Sequence, residues 1–177
     1  MFDYLLKWCS SGGKDYRTEA FERQKRDGRK PLVDNPTIEE VRTALRELQP
    51  AKVLDIGCGW GRWMEQLHPE FDIWGCDVSP DMLKQVPEPL QKRVFELDLA
   101  TDQIEAFHLG TYDVGICRGV LHYLYEHETL FEQAVSNMCK MVHRKIVVWE
   151  FPEVCLKVAT LDPDGRFSLR PIVRKAE

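Results

Sequence analysis

Between residues 53 and 63 the chain reads Val53-Leu54-Asp55-Ile56-Gly57-Cys58-Gly59-Trp60-Gly61-Arg62-Trp63, an apolar run entering a loop with glycine at every second position. Glycine tolerates positive φ and lets the backbone approach a ligand closely, so a strand, a glycine loop and a helix N-terminus together make a ligand cradle. The dinucleotide form of that cradle, G-x-G-x-x-G/A, requires a small third residue for close helix–strand packing. This chain has Arg62 there. Asp55, two residues before Gly57, would repel a pyrophosphate and suits a ligand that carries an ammonium group. Asp77 follows 22 residues after Asp55, at the end of a second apolar segment. At that distance a strand-end carboxylate can accept ribose hydroxyl protons. Asp98 closes a third such segment, and His122 lies five residues beyond Cys117 at the end of a fourth. Histidine is the side chain suited to proton transfer near neutral pH. Singly, each carboxylate is an ordinary strand end; their order behind one glycine loop makes them a set.

The elements that must hold these groups follow from periodicity. Five short apolar segments, at 52–56, 71–76, 93–97, 112–117 and 145–151, alternate with helical patterns. Near-continuous apolar strands separated by helices predict a parallel sheet covered on both faces. Thr37 and Glu40 form a capping box after Asn35-Pro36; Ile38, Val41, Leu45 and Leu48 make one apolar stripe, and Pro50 ends that helix. A second helix is predicted over 128–142 from Leu130, Phe131, Ala134, Val135, Met138 and Val142. Ser79-Pro80 opens a short helix that Pro87 and Pro89 close. Val154–Thr160 and Arg166–Val173, joined by Leu161-Asp162-Pro163-Asp164-Gly165, predict an antiparallel hairpin.

With these residues in place, the chain resembles the class I S-adenosylmethionine (SAM)-dependent methyltransferases, whose first motif is an acidic residue followed by G-x-G-x-G. The resemblance covers residues 37–151 well and the tail loosely. It implies an α/β fold: one Rossmann-like, doubly wound, mostly parallel sheet with helices on both faces, an αβα sandwich ending in an antiparallel β-hairpin. It implies SAM as cofactor, with Gly57, Gly59 and Gly61 under the methionine and ribose, Asp55 near the amino group, Asp77 on the ribose, and Asp98 near the adenine amine with the Leu99 backbone beside the ring. Arg118 joins this cofactor-binding group. The segment after strand four faces the methyl group in the family, so His122 and Tyr123 are the catalytic candidates, His122 as base and Tyr123, with Tyr125, as a wall of the acceptor pocket. In the family a helix usually separates strand five from the hairpin; here it is missing or reduced to a turn.

At 177 residues one globular domain is expected, 37–177, preceded by an N-terminal helical flap or extension over 1–36. Residues 14–30 carry seven basic side chains against four acidic ones, either a solvated helix face or a flap over the SAM site whose cations meet the SAM carboxylate or an anionic acceptor, with Tyr16 and Phe21 as anchorage. A net charge of −5 argues against a generally nucleic-acid-coating surface, although the 14–30 segment leaves nucleic acid open. No stretch approaches the ~18–20 apolar residues of a membrane span, and a secretory core is lacking, so a cytoplasmic protein is expected, monomer or homodimer. Six cysteines are scattered with no C-x-x-C pair, which indicates neither a disulfide framework nor a metal site. Cys117 stands where cytosine-C5 methyltransferases place a nucleophile, but Ile116 replaces their proline. The segment after strand four also lacks the Asn/Asp-Pro-Pro-Tyr/Phe of exocyclic-amine DNA methyltransferases.

The expected function is methyl transfer from SAM to an O or N acceptor on a small molecule or an exposed macromolecular group, the acceptor itself unknown. Two alternatives stand beside it. One is a catalytically inert SAM-fold module that binds SAM or a partner. The other is aminopropyl transfer from decarboxylated SAM, which favours acidic residues where this chain has Arg118-Gly119-Val120.

Overall fold

The computed structural model describes residues 38–101, 103–104, 108–109, 111–121, 124, 128–149, 157–161 and 167–171. The flap expected over 1–36 and the Thr37 cap lie outside the described residues. Helix α1 (Ile38–Leu48) leads into β1 (Val53–Ile56), α2 (Arg62–Leu67), β2 (Ile73–Asp77), α3 (Pro80–Leu83), a 3-10 turn (Glu88–Arg93) and β3 (Val94–Glu96). Then come β4 (Tyr112–Arg118), α4 (Glu128–Met141), β5 (Val142–Trp149), β6 (Lys157–Leu161) and β7 (Phe167–Pro171). The seven strands form one sheet in the order β3-β2-β1-β4-β5-β6-β7. Strands β3, β2, β1, β4 and β5 run parallel; β6 pairs antiparallel with β5, and β7 antiparallel with β6.

Alternation along the strands divides the core in two. Val53, Ile73, Ile116 and Val147 face α1 and α2, packing with Val41, Leu45, Met64 and Leu67. Leu54, Ile56, Cys76, Cys117, Ile146 and Val148 face the other way, where Ala134, Met138 and Met141 of α4 cover them. Successive side chains of a strand point to opposite faces, so a strand that is apolar at every position must be covered twice. This is the doubly wound α/β arrangement, with helices on both faces.

Two departures from the sequence expectation have local causes. Strand β5 starts at Val142, three residues before the predicted 145, because α4 ends at Met141 and passes directly into it. The early start brings a register shift: Tyr112 pairs with Val142, but Val114 pairs with Lys145. An extra residue on one strand is the signature of a bulge. Beside it, Asp113 accepts the Ala51 and Lys52 amides at 2.6 and 2.8 Å and meets His143 Nε2 at 3.0 Å, which ties β1, β4 and β5 together at their amino ends. Strand β2 begins at Ile73 rather than 71, after a turn in which the Glu70 and Phe71 amides both donate to the Leu67 carbonyl.

One glycine governs how closely α2 and the loop after β1 approach the sheet. A Cβ on Gly75 would lie 2.5 Å from Met64 Sδ and 2.8 Å from Cys58 Sγ. Overpacking a filled core typically costs about 1–3 kcal/mol. Gly75→Ala is therefore expected to lose about that much stability in urea unfolding followed by circular dichroism. An unchanged midpoint would show that α2 and Cys58 yield freely.

Candidate functional site

The strand order reverses between β1 and β4, since β2 and β3 extend the sheet one way and β4 and β5 the other. In open α/β sheets, ligands bind at the carboxyl ends of the strands beside such a switch point. A cleft lies there, lined by Gly57 and Gly59 after β1, Cys76 to Ser79 at the end of β2, Met82 of α3, Leu97 to Ala100 after β3, Arg118 to Val120 at the end of β4, and Leu124.

The loop after β1 is built on left-handed backbone: φ is +74° at Gly57, +55° at Gly59 and +81° at Gly61. At Gly57 the demand is also steric, because a Cβ there would sit 2.2 Å from a methyl of Val120. The Gly57 and Cys58 amides both donate to the Cys76 carbonyl, at 2.8 and 3.0 Å, so the loop starts as a continuation of the β1–β2 pairing. Gly61 then serves as the N-cap of α2 without a side-chain bond, and Glu65 N–H closes the first turn on its carbonyl.

Asp77 fastens this loop. Its Oδ2 accepts the Gly59 amide at 2.8 Å, and its Oδ1 accepts the Ser79 amide at 2.9 Å. Ser79 in turn caps α3, its hydroxyl accepting from Met82 N–H with Pro80 in the first helical turn. Burial is the dominant influence on Asp77 and raises its pKa above the ordinary carboxylate range, against the opposing amides of Ser79, Gly59 and Val78. Asp98 is 4% exposed and accepts the Ala100 amide at 3.0 Å, folding the segment after β3 into a side-chain-closed turn.

Asn137 on α4 was not singled out by the sequence reading. It is 0% exposed, and its amide nitrogen donates to the Leu99 carbonyl at 2.9 Å across 38 positions of chain. The signal was present: Leu130, Ala134, Asn137 and Met141 share one helical face, and a polar residue on a buried stripe requires a partner. Asn137 thus holds in place the loop that carries Asp98 and Leu99.

Of the residues proposed from sequence, the cleft brings together Gly57, Gly59, Asp77, Asp98, Leu99 and Arg118. Gly61 and Asp55 do not reach its lining. Asp55 lies beneath it, 4% exposed, in the middle of the sheet. Its pKa is pushed up to about 8, first by burial and then by the nearby Asp77, with Arg118 acting in the opposite direction. His122 and Tyr123 lie outside the described residues; the flanking Leu121 and Leu124 are buried, joined by a Leu124 N–H to Leu121 carbonyl bond of 2.9 Å. Cys117 is wholly buried. Burial likewise raises the pKa of the Cys58 and Cys76 thiols, so both stay protonated. Among the described residues no His, Cys, Asp or Glu cluster has metal-binding geometry, and no helix is long and apolar enough to cross a membrane.

Comparison with known proteins bears on this cleft. A family profile described as a methyltransferase domain matches residues 53–145, from β1 into β5. The malonyl-[acyl-carrier protein] O-methyltransferase of Legionella pneumophila is 29% identical over 122 residues. That match covers 67% of this chain, which spans 39% of the relative's length. Among solved structures, the N-methyltransferase NodS from Bradyrhizobium japonicum WM9, in complex with S-adenosyl-L-homocysteine (SAH), is 26% identical with a TM-score of 0.54. It aligns over 76% of this chain and 72% of its own. The magnesium protoporphyrin IX methyltransferase from Synechocystis PCC 6803, with bound SAH, shares the fold at 22% identity and a TM-score of 0.54, over 75% of this chain and 67% of its own.

The buried Asp55 carboxyl carries a pH signature. Its folded pKa of about 8 exceeds the ordinary 3.8, so folding retains a proton that the unfolded chain releases. The stability linked to that proton is full below pH ~4, falls as pH rises, and is exhausted above pH ~8. Asp55→Asn, which mimics the protonated acid, is expected to raise Tm at pH 8 by several degrees, on the order of 1–3 kcal/mol, by less at intermediate pH, and to leave it unchanged only below pH ~4. Thermal melts across that range decide; an equal shift at both ends would mean that Asp55 does not titrate between them.

Proposed function

This chain belongs to the methyltransferase domain family, and from that premise we propose that it is a class I SAM-dependent methyltransferase that passes a methyl group to an O or N acceptor. The observation that carries the reading is the convergence, at one switch-point cleft, of a left-handed glycine loop, the Asp77 carboxylate and the Asn137-braced Asp98–Leu99 turn. The residues fit the cofactor's chemistry. Flat backbone at Gly57 and Gly59 offers a surface without side chains. Asp77 uses one lone pair of each oxygen on the loop amides and keeps others for ribose hydroxyls. Asp98 offers acceptor oxygens to an exocyclic amine, and the Leu99 backbone lies beside it. The second relative of note, crystallised with SAH, supports the same ligand class.

When bound, SAM supplies a methyl group made electrophilic by its sulfonium. The chain's own residues then have mostly geometric tasks: to orient the ligand, to exclude water and to align an acceptor at near-attack distance. In this reading the segment after β4 forms the acceptor side, with His122 taking a proton from the acceptor and Tyr123 shaping its pocket. Residues 1–36 serve as a flap over the cleft, and 37–177 form the catalytic domain. The antiparallel β6–β7 pair serves as the hairpin that closes the domain.

A second reading, an inert SAM-binding module, draws on one feature. Only residues 150–156 separate β5 from β6, fewer than the dozen or so positions a helical crossover requires. Production of SAH from SAM with cell extract as acceptor separates the two: turnover supports the enzyme, and binding without turnover supports the module.

Calorimetry is expected to show SAH binding by the wild-type protein. Asp77→Ala should weaken it by roughly 10- to 100-fold, the equivalent of a charge-assisted hydrogen bond, and further if the untied Gly59 loop drifts. Absence of SAM and SAH binding by well-folded protein would overturn the assignment. His122→Ala is expected to leave SAH affinity nearly intact while turnover falls by about 10²–10⁴-fold. Undiminished turnover would remove the base role and leave catalysis by positioning.

A further inference from the structure

The wall of the cleft formed by Leu97 to Ala100 hangs from a weak support. Strand β3, which leads into it, is three residues long, lies at the sheet edge beside β2, and has no buried position. The start of the wall is fixed by the Leu97 amide, which donates to the Asp77 carbonyl at 3.0 Å. Its shape is fixed by the Asp98 side chain, which accepts the Ala100 amide at 3.0 Å. Neither bond sets how far the Asp98–Leu99 turn stands from the opposite side of the cleft, because the first precedes the turn and the second is internal to it.

Asn137 supplies that third constraint through its Nδ2, which donates to the Leu99 carbonyl at 2.9 Å. The helix behind it is firmly based. Helix α4 passes directly into β5 at Val142, and Ala134, Met138 and Met141 share one core with Leu97, Leu99 and Ala100. The far end of the Asn137 amide fixes its orientation: Oδ1 accepts from Gln133 Nε2 at 3.0 Å and from Lys140 Nζ at 3.2 Å. Turning the amide over would set its NH2 against those two donors and its oxygen against the Leu99 carbonyl, so Nδ2 is committed to the wall. Asn137 is 0% exposed and is not among the described residues that line the cleft.

We propose that Asn137 is a positioning residue: through the Leu99 carbonyl it holds the wall carried by the edge strand at the separation a ligand requires, so that affinity depends on a side chain the ligand does not touch. The inference rests on the SAM reading above and deepens it, because it names a residue outside the lining that sets the affinity of that site. The competing account is that apolar packing alone places the wall and that Asn137 is a buried polar group with its partners satisfied. Its loss would then lower stability and leave the ligand indifferent.

Calorimetry with SAH, beside urea unfolding of each protein, separates the two accounts. Asn137→Leu, similar in size but without a donor, is expected to weaken SAH by roughly 5- to 50-fold. Two control variants on α4 leave the Leu99 bond in place. Ala134→Gly lowers helix stability on the same buried face, and Gln133→Ala removes one of the two donors to Oδ1. Both are expected to keep SAH affinity within about twofold of wild type, whatever their unfolding midpoints. In 15N-labelled wild-type protein, SAH is expected to shift the Asn137 side-chain amide resonance and to slow the exchange of its protons with solvent. If Asn137→Leu does not fold, this signal decides. Unchanged affinity in Asn137→Leu, an equal loss in Ala134→Gly, or an Asn137 side-chain resonance indifferent to SAH overturns the proposal while leaving the SAM reading intact. Failure of wild type to bind SAH overturns the SAM reading, and this inference with it.

Discussion

The Asp77 carboxylate accepts the Gly59 amide with one oxygen and the Ser79 amide with the other, and both walls of the cleft hang on that pair of bonds. Through Gly59 it fixes the left-handed loop between β1 and α2. Through Ser79 it fixes the start of α3, which contributes Met82 to the lining. The β2 chain end does a third service, since its carbonyl accepts the Leu97 amide at 3.0 Å and draws the end of β3 alongside. A cleft made of three separate loops therefore shares one anchor. A buried carboxylate is costly to hold unless backbone amides meet it, and here their donors come from the segments that need positioning.

The same neighbourhood stores electrostatic tension. Asp55 sits in the centre of the parallel sheet beneath the cleft, close enough to Asp77 for that carboxylate, after burial, to disfavour its ionisation. A hydrophobic residue on that central strand would pack without such a conflict. Sites prepared to receive a cationic ligand commonly carry destabilising charge in its absence, and the Arg118 charge, which acts to lower the pKa of Asp55, limits the conflict. Inert surroundings help: the nearby thiols are buried and protonated, so acid–base behaviour in the floor is confined to the two carboxyls.

Beyond β5 the sheet continues as an antiparallel meander rather than through a crossover. The cause is length. A parallel continuation needs a connection long enough to recross the sheet, and residues 150–156 are too few. An antiparallel neighbour needs only a turn back along the edge. The strands that build the cleft all lie on the β3 side of this change, so the site is insulated from it.

Sequence alone determined the parallel α/β core and most of the cleft. Strands that are apolar at every position imply covering on both faces, and the alternating glycines, Asp77 and Asp98 are set by spacing along local elements. These are properties of short segments, so they are legible without knowing what lies across the chain. Tertiary structure decided the rest. That Asp55 lies below the lining, with Asp77 and Arg118 as its charged neighbours, depends on which strands stand beside β1. That Gly57 must remain glycine because of Val120, and Gly75 because of Met64 and Cys58, depends on contacts between segments far apart in sequence. Asn137 braces Leu99 across 38 residues, and the α4–β5 junction slides the register at Asp113. Each of these is a relation between distant residues, fixed only when the elements pack, because hydrogen-bond reach and van der Waals exclusion act through space and leave no periodic trace along the chain.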